Sequence, residues 1–171
     1  MKTSGRDTLM AMVKRSRKGR DQLMVLLVGT LGLSADALRT LTIADAVQEL
    51  KAARGSRVPE DLILGATKAL GIYKKSYDLN KDSLVFTNMN SKRSRGRLSR
   101  TTVWRILSKA AKSVFGQSVP GALRVLQGVR AVLHGGRAAW HLDALTKTSE
   151  WPAWGETNEN AFWSQQEPQL V

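Results

Sequence analysis

The apolar positions of the chain are unevenly spaced, and their spacing predicts mostly helices. Leu23 to Val28 is an unbroken apolar run, so Asp21 to Leu31 reads as a helix buried on all sides. Ser34 is placed to N-cap a second helix from Ala35 to about Leu41. The stretch from Val47 to Val58 fits either a helix or short strands around the Arg54-Gly55-Ser56 turn. Pro59 opens a further helix, with Leu62, Ile63, Ala66 and Leu70 on one face and Gly71 expected to end it. Ser83 to Thr87 (SLVFT) reads as a short strand. Ser99 is placed to N-cap a helix from Arg100 to about Phe115, with Val103, Leu107, Ala110, Ala111 and Val114 facing inward and Ile106 flanking them. Pro120 starts another, carried by Leu123, Leu126, Val129, Val132 and Leu133 and closed by Gly135-Gly136. From Thr146 the pattern weakens; Trp151, Pro152, Trp154 and Gly155 indicate a loop, with a short helical segment over Asn158 to Gln166.

The fold class expected from this pattern is mainly α with a small β-sheet (α+β). At 171 residues and 42% apolar, the chain is long enough for one domain with a real core. No apolar run reaches the roughly 18 residues needed to span a bilayer, and no small-residue cleavage site follows the apolar stretch. Cysteine is absent, which excludes disulfides and thiolate metal sites. His134 and His141 have no acidic or thiol partner at ligand spacing, so neither metal nor cofactor is expected. Phosphate-cradling glycine loops and the common hydrolase motifs are also missing. The expected setting is cytoplasmic, associated with the nucleoid.

Charge changes the picture because it is concentrated. The net charge is +13, yet residues 21–85 are neutral and residues 113–171 carry −1. The excess lies in residues 1–20, at +6, and residues 86–112, at +8 with no acidic residue. Two basic blocks on an otherwise neutral chain point to a polyanion: nucleic acid first, with an anionic membrane surface or a merely solvated face as the alternatives.

Three stretches, in order, resemble the catalytic domain of tyrosine recombinases, the phage-integrase superfamily. They are LMVLLVGTLGLSADALRTLTIAD (Leu23–Asp45), LVFTNMNSKRSRGRLSRTTVWRILSKAAK (Leu84–Lys112) and VPGALRVLQGVRAVLHGG (Val119–Gly136). The resemblance implies a recombinase-catalytic-domain-like fold and a DNA contact through the basic loop and the start of the following helix. It also implies a chemistry that this chain cannot perform. The family's first arginine falls on Ser34, the acidic residue after it on Ala37, and the histidine of the third motif on Gly121. The second arginine is retained as Arg124, and the hairpin lysine corresponds to Arg54 or Lys51. Nothing fits the second His/Trp position near Lys147–Ser149. The nucleophilic tyrosine would follow Arg124, but the only tyrosines are Tyr73 and Tyr77, and Phe162 stands near the expected place. The chain is therefore expected not to be an enzyme and to have no catalytic residue. It is expected to act as a DNA-binding regulator of a mobile element such as a phage or plasmid, or as an accessory factor to an active recombinase or other partner.

The expected organisation is a basic N-terminal arm (1–20), a recombinase-like DNA-binding domain (21–145) and a Trp-rich acidic tail (146–171). The arm's KRSRKGR segment (Lys14–Arg20) is expected to be flexible and to track DNA rather than form ordered structure. The double-stranded DNA contact is assigned to Arg54, Lys92, Arg93, Arg95, Arg97, Ser99, Arg100, Thr101, Thr102, Arg105, Lys109 and Arg124. Cations there would neutralise phosphates, while hydroxyls and helix N-terminal N–H groups would add neutral donors. Arg124 reads alternatively as a structural ion-pair partner. Four of the five tryptophans lie in the last 32 residues. They either pack on the chain's own core or, through Trp151, Trp154, Phe162 and Trp163, dock on a second copy to form a homo-oligomer.

Overall fold

A computed structural model describes residues 5–56, 58–88 and 96–116, together with Leu126. The expected helices at 120–135 and 158–166, and the whole C-terminal tail, lie outside the described residues, except that Leu126 is helical and fully buried. Six helices order the described chain: α1 Gly5–Arg15, α2 Arg20–Leu31, α3 Ala35–Thr40, α4 Ile43–Ala53, α5 Glu60–Ser76 and α6 Arg100–Phe115.

The centre is α2. Every residue from Leu23 to Thr30 is buried, which a helix tolerates only when neighbours cover it on all sides. Those neighbours are α1, α4, α5 and α6. Thr30, the buried polar residue of the run, is satisfied by donating its hydroxyl to the Leu26 carbonyl at 2.7 Å. Gly32 ends the helix in the left-handed region at φ 66°, its N–H donating to the Val28 carbonyl, and so turns the chain into α3.

The caps follow the sequence closely. The Ser34 hydroxyl accepts from the Ala37 N–H and starts α3. Thr42 and Asp45 form a reciprocal capping box that starts α4, which resolves the helix-or-strand ambiguity over Val47–Val58 in favour of helix up to Ala53. Ser99 caps α6 by accepting from the Thr102 N–H at 3.1 Å. Helix α5 runs past Gly71 to Ser76 because Tyr73, two residues on, is buried against Tyr77 and Phe86. Burying such a ring contributes about 2 kcal/mol, which exceeds the roughly 1 kcal/mol helix penalty of one glycine.

Two expectations are corrected. The first is the small β-sheet: the described residues contain none, and the fold is helical. Among the described residues Ser83–Thr87 pairs only through isolated antiparallel bridges, Thr42 with Leu84 and Thr87 with Arg97. The Val85 N–H donates to the Leu41 carbonyl at 2.8 Å, and the N–H groups of Ile43 and Ala44 donate to the carbonyls of Ser83 and Lys81. Helix α4 begins at Ile43, so the partner strand ends after one pair and a ladder cannot continue. The recombinase-like α+β domain is corrected with it. The second is the N-terminal arm: residues 5–15 form α1, whose Leu9 and Met12 are fully buried against the core.

Candidate nucleic-acid interface

The geometry starts from how α6 is seated. Val103, Ile106, Leu107, Ala110 and Ala111 are buried, and the helix packs on α1, α2 and α3. Spacing of 3.6 residues per turn then fixes what faces away. Thr101, Arg105, Lys109 and Lys112 recur at i, i+4, i+8 and i+11, which places them in one stripe opposite the buried face, and all four are exposed. No acidic residue occurs in α6. Among the described residues, Arg105, Lys109 and Lys112 form no ion pair. Arg97, also exposed, precedes the helix and closes the basic loop across from Thr87.

The first turn of α6 is arranged differently from its exposed stripe. Arg100 donates from Nε to Asp36 Oδ1 at 2.8 Å and pairs through Nη2 with Oδ2, a two-pronged grip on the carboxylate. Arg39 donates from Nη1 to the same Oδ1 at 3.1 Å and from Nε to the Leu98 carbonyl at 2.6 Å. Arg100 beside it, then Arg39, hold the Asp36 carboxyl below its ordinary value of 3.8. Ser99 and Thr102 are occupied with each other: their hydroxyls lie 2.9 Å apart while Ser99 caps the helix.

Of the residues assigned from the sequence, the structure thus brings together Arg97, Ser99, Arg100, Thr101, Thr102, Arg105 and Lys109. Ser99 and Thr102 serve the cap and Arg100 serves an ion pair. Arg54 stands exposed at the C-cap of α4, a helix that packs on α2 and α5, and is not placed with this group. Lys92, Arg93, Arg95 and Arg124 lie outside the described residues, as do Trp151, Trp154, Phe162 and Trp163.

Several cations of the N-terminal block hold helices together. Arg6 pairs with Asp61 at the start of α5. Arg15 donates to the Ser113 carbonyl in the last turn of α6, where a cation also complements the helix dipole. Arg20 bonds Asp21 at 3.2 Å and the Thr87 carbonyl at 3.4 Å. The sequence reading missed Arg39 and Asp36; their i, i+3 spacing behind the Ser34 cap was the available signal. Among the described residues no cluster of His, Asp or Glu is arranged to hold a metal ion, and no helix is long and apolar enough to cross a membrane.

Compared with protein-family models, with curated proteins and with solved structures, the chain matches none.

Proposed function

We propose that the protein is a non-catalytic binder of duplex DNA, acting as a regulator or accessory factor, with α6 and the basic loop before it as the contact surface. One observation carries this reading: the exposed Arg105–Lys109–Lys112 stripe, free of acidic residues along its helix and without ion-pair partners among the described residues. Solvated surfaces usually interleave both signs of charge, whereas a one-signed stripe on a rigid helix matches a regularly spaced polyanion. Arg97 and the loop cations Lys92, Arg93 and Arg95 extend the basic run at the helix's N-terminal side.

Electrophoretic shifts with a random-sequence duplex, run at several salt concentrations beside vesicles of anionic lipid, test the reading. Retarded duplex at low salt, with weaker vesicle binding, is the expected result. Vesicle binding without duplex binding would replace DNA by a membrane surface, and binding to neither would remove the proposal.

A further inference from the structure

The Asp36 cluster is more than a clasp between α3 and α6. Its three side chains are all solvent-accessible: the Asp36 and Arg100 side chains are 54% and 53% exposed and that of Arg39 is 29% exposed. The carboxylate draws donors from both guanidinium groups, and Arg100 meets it with the two-pronged geometry that arginine also uses toward phosphate. The Asp36 and Arg100 side chains are each more than half exposed, so water and salt screen the pair and another anion can reach the same donors. Arg39 is kept in place independently, by its bond to the Leu98 carbonyl, and stays presented when the carboxylate is replaced. Arg100 and Thr101 are consecutive residues in the first turn of α6, so this pair adjoins the N-terminal end of the cationic stripe.

We propose that Arg39 and Arg100 form a phosphate seat for the nucleic-acid backbone, which the Asp36 carboxylate fills in the free protein and yields on binding. The seat adds Arg39, and Asp36 as an internal competitor, to the contact surface. Asp36 thereby sets how tightly the surface grips DNA. The inference rests on the DNA-binding reading above.

Neutralising the competitor tests it. Asp36→Asn keeps the shape of the side chain and removes its charge. Duplex affinity is measured by fluorescence anisotropy from 50 to 200 mM salt for wild type, Asp36→Asn, Arg100→Ala, the Asp36→Asn/Arg100→Ala pair and Asp61→Asn. The last makes the same charge change at the Arg6 pair. Asp36→Asn is expected to bind about two- to fivefold more tightly, with the log–log salt slope of wild type, because both make the same phosphate contact once the carboxylate has yielded. The gain is expected to vanish in the Arg100→Ala background and to be absent from Asp61→Asn. Equal affinity of wild type and Asp36→Asn overturns the seat while leaving DNA binding intact. A gain shared by Asp61→Asn, or surviving without Arg100, overturns it too, because it would reflect net charge alone. Failure of the wild type itself to bind at 50 mM salt removes both readings.

Discussion

Replacing Gly29 tests whether the N-terminal residues are a docked helix or an arm. A Cβ at Gly29 would fall on Leu9 Cδ1 and lie 2.8 Å from Cδ2 and 3.1 Å from Cγ, so the glycine leaves room for Leu9 of α1 against α2. In an open helix interior Gly→Ala stabilises by about 1 kcal/mol. Here Leu9 is fully buried and has little room to swing away, so overpacking of about 1–3 kcal/mol opposes that gain. The net expectation is a loss of up to about 2 kcal/mol for Gly29→Ala. Leu9→Ala alone should cost about 2–5 kcal/mol, since it empties a closed site. With both changes the new methyl enters the space the leucine left, and Gly29→Ala should become stabilising by about 1 kcal/mol. The cycle therefore predicts a coupling of about 1–3 kcal/mol, read from urea unfolding followed by circular dichroism. Were residues 5–15 an undocked arm, Leu9→Ala would be nearly silent and Gly29→Ala would stabilise in both backgrounds. Additive effects of the two changes would refute the packing of α1 on α2.

Two further predictions concern stability. Gly71 lies in the exposed interior of α5 with nothing within 4 Å of an added Cβ, so Gly71→Ala should stabilise by about 0.5–1 kcal/mol, visible as a rise in Tm of about 2 °C. A neutral or destabilising result would mean α5 ends at Gly71. Asp36, held down mainly by its hydrogen bond from Arg100, and Asp61, held down mainly by Arg6, both titrate below their ordinary value of 3.8 when folded. A depressed carboxyl contributes stability above its unfolded pKa and loses it as pH falls through the folded one. Unfolding midpoints should therefore drop as pH falls below about 4, and the Asp36→Asn/Asp61→Asn pair should flatten that drop. An unchanged pH profile in the pair would show that neither salt bridge persists in solution.

Much of the fold is legible in the chain because helix caps are local. Ser34 and Ser99 each bond within three residues, so spacing alone reveals them, whereas the equally local Thr42–Asp45 box emerged only with the structure. Helix α6 begins at the residue its cap implies and buries the face its periodicity implies. The N-terminus was harder to read because two signals overlap there. Leu9, Met12 and Val13 have helical spacing, but seven cations within 20 residues suggest a solvated arm. Packing decides, since Arg6, Arg15 and Arg20 find partners on α5, on α6 and beside Thr87 that no local pattern discloses. The Ser83–Thr87 strand failed for a similar reason. Its apolar run with β-branched Val85 and Thr87 favours a strand, but a sheet also needs a partner of matching length, and the chain at Leu41–Thr42 turns at once into α4. At the candidate interface the exposed cations of α6 follow directly from its apolar period. The Asp36–Arg100 pair spans 64 residues and only the tertiary structure shows it.

The central claim, that α6 grips DNA through its cationic stripe, is tested most directly by the salt dependence of duplex binding with and without that stripe. Wild type is compared with the Arg105→Ala/Lys109→Ala/Lys112→Ala triple variant, whose three side chains are exposed and carry none of the core contacts. At roughly 0.9 per phosphate contact, removing three contacts should flatten the log–log slope of affinity against salt by about 2.7 and weaken binding at every salt concentration. An unchanged slope, in a variant that unfolds like wild type, would place the DNA contact elsewhere and contradict the claim.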